Sequence, residues 1–350
     1  MKRTGIIAIL LSAVLLSLAA FSSCSFSKMR QFSHTDVTVF DTQTVILGFE
    51  ETEEEFQKRA EEIMESLGRY HKLYDIYYSY EGVNNLKTVN DNAGVAPVKV
   101  EREIIDLLLY SKEMYELTDT MTNVAMGAVL RLWHQCREEG LKSPEAARLP
   151  EREELLAAAE HCDIEKVIID EEEGTVFLSD GEMSLDVGAV AKGFAVEAVA
   201  RRLESEGLSG YALSVGGNVR CIGKKATGEK WEIGVQNPDM LSDKAYFTKV
   251  YLERESLVTS GTYQRFYTVE GKTYHHIIHP ETLMPKDTYA SVSVIAPHSG
   301  MADALSTALF NMSIDEGLAL AESLSGVEAA WVYPDGDVRT TKGFDDFEKK

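Results

Sequence analysis

Beyond Val167 the chain is written in short apolar runs joined by turns too tight to hold a helix. Val167–Asp170 and Thr175–Leu178 flank Glu172-Glu173-Gly174, and Phe266–Val269 and residues 273–278 flank Glu270-Gly271. Residues 331–333 likewise face Val338–Thr340 across Asp335-Gly336. An acidic residue followed by Gly supplies the backbone angles that short hairpin loops demand, so each couple reads as antiparallel. Parallel neighbours would need crossovers of a dozen residues or more. The earlier half is helical. Residues 51–74 set Phe56, Ala60, Ile63, Leu67 and Tyr70 at helical spacing, behind an acidic run at 50–55 that suits a first turn. Residues 104–117, 191–206 and 301–312 read as further helices. Residues 37–47 alternate like a first strand around Phe40-Asp41-Thr42, and the polar stretch 137–152, with Pro144 and Pro150, reads as an excursion loop with a short helix. Helices first and hairpins later predict an α+β fold with mixed or antiparallel sheets and packed helices.

The N-terminus has the form of a leader. Lys2 and Arg3 precede an apolar run from Ile6 to Ala20, too short for a comfortable membrane span, and Phe21-Ser22-Ser23-Cys24 resembles a bacterial lipobox. Residues 1–23 are therefore expected to be a lipoprotein signal peptide, 24–34 a tether and 35–345 the folded body. Diacylation of Cys24 would hold that body on the extracytoplasmic face of the inner membrane. A plain secretory signal with an incidental Cys is the simpler alternative. Cys136, Cys162 and Cys221 are odd in number and lack a CxxC pattern, so they read as core filling rather than a disulfide or zinc framework. The formal charge of −22 argues against nucleic acid as a partner, and any anionic ligand needs a local cation or a metal.

Several residue groups could carry chemistry. In residues 184–193, SLDVGAVAKG, Asp186 closes an apolar alternation and Lys192 stands where a helix begins. Free backbone N–H groups at such a junction favour a phosphate. Asp303 and Thr307, four apart, share one helical face, and a carboxylate with a hydroxyl suits Mg²⁺; capping and back-bonding within the helix is the bland alternative. His275, His276 and His279 lie on a hairpin, the first and last on one face and His276 on the other. One histidine acting as general base is more economical than a zinc site. Gly216-Gly217-Asn218 ends a strand where backbone can approach a ligand. Five tyrosines within residues 69–80 offer rings to a planar ligand, although core packing accounts for most of them.

Read in order, these pieces resemble one family. Phe40-Asp41-Thr42, Tyr80 to Asn90, Ala125-Met126-Gly127 with Leu132-Trp133, Asp186 to Gly193, Gly216-Gly217-Asn218, Thr259-Ser260-Gly261, His276-Ile277-Ile278 and Ala302-Asp303 with Thr307 are similar to the ApbE family. The likeness runs over about residues 35–340. It implies a FAD:protein FMN transferase that takes FAD as substrate with Mg²⁺, cleaves the pyrophosphate and attaches FMN to a Thr or Ser of a target protein, releasing AMP. The implied partners are flavoprotein subunits of Nqr- or Rnf-type oxidoreductases, or extracellular flavin reductases. It further implies FAD contacts at Phe40, Tyr80, Ala125, Met126, Gly127, Asp186, Lys192 and Ile278. The implied metal ligands are Asp303, Thr307 and the main-chain oxygen of Ala189, and His276 is the expected proton acceptor. The chain departs from the family's pattern at His279, which stands for an Asp, at Ala125-Met126-Gly127-Ala128, where Thr-x-Gly-Pro is usual, and at Phe40, where Met is common. Two other readings compete. One keeps FAD and Mg²⁺ as a pyrophosphatase without acceptor transfer. The other is a solute-binding lipoprotein, a class that needs two similar lobes, and the chain shows no duplication.

Overall fold

The computed structural model describes residues 29–349. Its frame is one eight-stranded sheet made of β1 (Arg30–Asp36), β2 (Thr44–Glu50), β3 (Tyr211–Val215), β4 (Asn218–Ile222), β5 (Ser256–Gly261), β6 (Ser291–Ala296), β7 (Glu328–Val332) and β8 (Val338–Thr340). Spatial order follows chain order, and every neighbouring pair is antiparallel. The expected α+β architecture is present. Its helices are excursions between strands: α1 (Glu53–Tyr74), α2 (Arg102–Leu117), α3 (Gly127–Lys142) and α4 (Ala191–Ser205) between β2 and β3, and α5 (Ser299–Asn311) between β6 and β7.

Alternation along the strands gives the sheet two apolar faces. Ile46, Leu213 and Val215 meet Phe56, Ile63 and Leu67 of α1 and Val196, Val199 and Leu203 of α4. On the opposite face, Leu47, Phe49, Cys221, Leu257 and Ile295 pack against the hairpin Trp231–Gln236 with Tyr246–Leu252. The acidic run before α1 does what its position suggests. Thr52 Oγ1 accepts the Glu55 N–H at 3.2 Å, Glu55 returns the bond to the Thr52 N–H, and Glu53–Glu55 face the positive end of the helix.

Four boundaries differ from expectation. Residues 30–34, read as tether, open β1 and pair with β2, Arg30 opposite Glu50 and His34 opposite Ile46. Residues 37–47 are not one strand. Phe40 and Asp41 take φ of 54° and 50°, so the alternation there belongs to a turn and pairing resumes at Thr44. Residues 137–152 begin as helix, because α3 runs on to Lys142 before a 3₁₀ turn at Pro144–Ala146. The strand expected over 273–278 is Lys272–His275. Cys136 and Cys221 are buried and Cys162 half-buried, all as free thiols, in keeping with core filling. The leader and Cys24 lie outside the described residues, and among those described no helix is long and apolar enough to cross a membrane.

Candidate active site

The site starts from one glycine. A Cβ on Gly193 would lie 2.4 Å from the Ser299 carbonyl oxygen and 2.5 Å from Asp303 Cβ, so only glycine lets α4 and α5 touch. That approach delivers the Gly193 N–H to Asp303 Oδ2 at 2.8 Å. Asn218 Nδ2, at the start of β4, donates to the same oxygen at 3.2 Å, and Lys192 Nζ stands 3.8 Å away. Asp303 is only 5% exposed. Burial pushes its pKa up, opposed by Lys192, the Gly193 N–H and Asn218. Oδ1 receives none of these donors.

The same contact caps the helix start. Gly193 is the third residue of α4, so its N–H is one of the helix-start donors with no carbonyl partner within the helix. Its N–H is spent on Asp303, and the Ala189 oxygen accepts no hydrogen bond among the described residues. Lys192 Nζ meanwhile donates to the Gly188 oxygen at 3.1 Å, tying this turn to Asp303. Thr307 follows Asp303 by one turn of α5 and is half-buried. One carboxylate oxygen, one hydroxyl and one carbonyl oxygen without a hydrogen bond would make up the all-oxygen, partial donor set that Mg²⁺ accepts when a substrate supplies the remainder. The expected ligands Ala189, Asp303 and Thr307 therefore fit that ion by chemistry.

The expected flavin contacts divide. Asp186 donates its N–H to Val124 O at 2.8 Å and accepts the Gly188 N–H on Oδ1 at 2.9 Å, bending the chain into the turn before α4. Beside it, Gly127 donates to Ser184 O at 3.0 Å, and a Cβ on Gly127 would come within 2.4 Å of that oxygen. Ala125, Met126 and Gly127 are buried. Ile278 is buried in the same cluster as Met126 and Trp133. Phe40 and Tyr80 form a separate group around His71. The Phe40 N–H donates to His71 Nδ1 at 3.2 Å, and the Tyr80 hydroxyl donates to Asp75 at 2.7 Å. The turn holding Phe40 reaches the site through Gly216, whose N–H donates to Gln43 O two residues before Asn218.

Two residues named in the sequence only as members of a group gain individual contacts in the structure. Tyr77 is half-exposed, its ring centroid 5.3 Å from that of His134. Its phenol is pushed up to about 12 by burial and then by Asp186. Tyrosine density was the available signal, but α1 ends at Tyr74, so the later tyrosines leave the helical pattern, and only Tyr74 of the five is fully buried. Asn218 was visible within its Gly-Gly-Asn motif, although only its contact with Asp303 gives it a task.

Residues 34–331 match the sequence profile of the ApbE family. The chain belongs to the ApbE family. A FAD:protein FMN transferase of Treponema pallidum is 34% identical over 275 residues, covering 75% of this chain and 74% of that protein. One from Klebsiella pneumoniae is 30% identical over 280 residues, covering 80% and 83%. The crystal structure of the ApbE protein from Thermotoga maritima superposes with a TM-score of 0.79 at 28% identity, over 92% of this chain and 100% of the other. The flavin transferase ApbE from Vibrio cholerae shares the fold at a TM-score of 0.75, with 24% identity over 91% and 99%.

Against the ApbE pattern, the three histidines take different parts. His279, where an Asp is usual, accepts the Glu281 and Thr282 N–H groups on Nδ1 at 3.1 and 3.3 Å, the turn-holding work a carboxylate also performs. His275 is buried, with Nε2 2.9 Å from Lys286 O and Nδ1 accepting the Ile277 N–H. His276 differs. Its Nδ1 lies 3.2 Å from the Arg265 carbonyl oxygen, which can only accept, so Nδ1 carries the proton and Nε2 keeps a free lone pair. Burial, then Arg265, His275 and Lys192, push its pKa down to about 3, against weak support from the Arg265 carbonyl. A histidine with so lowered a pKa is neutral above that value. The His276 ring is therefore expected to show no NMR titration between about pH 5 and 8 in ligand-free protein; a midpoint near the ordinary 6.5 would contradict this geometry.

Proposed function

We propose that this chain is a Mg²⁺-dependent FAD:protein FMN transferase acting on a flavoprotein acceptor. The observation that carries this reading is the convergence of the Gly193 N–H, Asn218 and Lys192 on buried Asp303 at a helix start. The relatives named above as FAD:protein FMN transferases supply the substrate class.

In this reading the acceptor hydroxyl oxygen of a Thr or Ser attacks the FMN-side phosphorus. The bond from that phosphorus to the bridging oxygen breaks, and AMP leaves with that oxygen. Mg²⁺, held by Asp303, Thr307 and the Ala189 oxygen, would supply charge neutralisation on the diphosphate. Lys192 offsets charge on the same group, and the N–H groups opening α4 add to that field. Nε2 of His276 takes the hydroxyl proton, its tautomer held by the Arg265 carbonyl. The main chain at 125–127, with Ile278 behind it, forms a buried wall for the flavin nucleotide, and Asp186 holds the turn leading to Lys192. We further read Cys24 as the lipidated residue that keeps the enzyme on the extracytoplasmic face of the inner membrane, near acceptors of Nqr or Rnf type.

Incubation with FAD, Mg²⁺ and an acceptor domain tests the reading. AMP with a fluorescent acceptor supports transfer, whereas AMP with free FMN supports a pyrophosphatase. In the same assay His276→Ala should retain FAD binding and lose roughly a hundredfold or more in transfer rate. Transfer at the wild-type rate would remove His276 from the mechanism.

A further inference from the structure

The site as described is short of positive charge. Asp186 and Asp303 carry two negative charges against the single ammonium of Lys192, which is already committed to the Gly188 oxygen and Asp303. A diphosphate adds two more negative charges and a divalent ion returns two, leaving the cluster anionic inside a protein of charge −22. Phosphoryl transfer depends on countering charge on phosphate oxygens, so another cation is needed.

Arg265 is placed to be that cation. It lies in the turn between β5 and the Phe266–Val269 strand, and the turn is anchored. Thr262 donates its N–H to Ala290 O at 3.0 Å, and Gln264 Nε2 reaches Thr259 O at 3.4 Å. The Tyr263 ring lies where a Cβ on Gly261 would be, 2.5 Å from that position. The Arg265 carbonyl accepts both the main-chain N–H of His276 at 3.1 Å and its Nδ1–H at 3.2 Å, which fixes the root of the side chain beside the proposed base. The guanidinium is exposed and forms no ion pair among the described residues, whereas Arg137 nearby is occupied by Glu138 and His134. Its charge acts on His276, Tyr77 and His134, and that of Asp186 acts on the last two.

We propose that the Arg265 side chain binds the diphosphate of FAD from the hairpin side, opposite Lys192, while its main chain positions His276. The inference rests on the flavin-transferase reading. A planar guanidinium can grip two phosphate oxygens at once, which an ammonium cannot. The side chain is exposed and the His276 contacts are main-chain, so replacing it leaves the fold and the histidine clamp in place.

Fluorescence titration of the full chain with FAD and Mg²⁺, and separately with riboflavin, tests this. Arg265→Gln should weaken FAD binding at least about tenfold, Arg265→Lys by an intermediate factor, and neither should move riboflavin affinity by more than about twofold. Unchanged FAD affinity in Arg265→Gln, or equal weakening of FAD and riboflavin, would overturn the assignment. Wild-type protein that fails to bind FAD sinks the flavin reading itself and takes this inference with it.

Discussion

Asp303→Asn should lower Mg²⁺-dependent turnover of FAD by about 10⁴-fold or more, equivalent to several kcal/mol of lost charge stabilisation. The same variant should be at least as stable as the wild type when no metal is added. Both expectations come from one fact. The carboxylate is almost fully enclosed, and burial disfavours its charged form despite Lys192, the Gly193 N–H and Asn218. A raised pKa in the folded state means that ionised Asp303 costs stability above its ordinary range, so a neutral side chain of the same size removes that cost. A carboxyl buried where its charged form is disfavoured is one placed for something other than folding. Thermal unfolding with and without Mg²⁺ completes the test. The wild type should gain stability from the ion by mass action, and Asp303→Asn should gain little. Intact Mg²⁺-dependent turnover in the variant would show that the metal is held elsewhere.

Much of this was legible in the sequence wherever one local rule acted alone. Period-two runs around Glu270-Gly271 and Asp335-Gly336 marked real hairpins, and the spacing of Phe56, Ala60, Ile63 and Leu67 marked a real helix. Asp303 and Thr307 could be put on one helical face because a helix fixes that spacing. What could not be read was anything that two distant segments decide together. Phe40 and Asp41 sit in an alternating stretch, yet the turn there is set by docking onto Gly216 and His71. The backbone role expected of Ala189 rests on resemblance alone, whereas the capping of the Gly193 N–H by a carboxylate 110 positions away exists only in the fold. His279 stands out in the sequence only as a departure from a pattern, and its turn-holding hydrogen bonds appear only in the fold.

Glu197→Ala should cost about 3–5 kcal/mol, a large share of the roughly 5–15 kcal/mol that holds a typical domain folded. Glu197 lies one turn past Gly193 on α4, and its carboxylate meets three elements at once. It accepts Arg220 Nε at 3.1 Å, the Ser299 N–H at 2.8 Å, Arg201 Nε at 3.0 Å and, on the same oxygen as Arg201, lies 3.2 Å from His298 Nδ1. The Ser299 bond matters because α5 has no side-chain cap of its own, so Glu197 caps the helix that carries Asp303 and Thr307. Arg220 stands two residues beyond Asn218 on β4, only 3% exposed, and would be left with Glu204 and main-chain carbonyls as partners. Burial by itself would raise the Glu197 pKa; Arg220, the Ser299 N–H and Arg201 outweigh it and hold the value below normal. A carboxyl with a lowered folded-state pKa adds stability above its unfolded pKa and surrenders it as pH falls through the lowered value. Wild-type stability should therefore decline on acidification more steeply than that of Glu197→Ala, and urea unfolding across pH 3–7 reads both the offset and the slope. If the variant unfolds within about 1 kcal/mol of wild type with the same pH slope, the carboxylate is not what binds α4, β4 and α5 into one site.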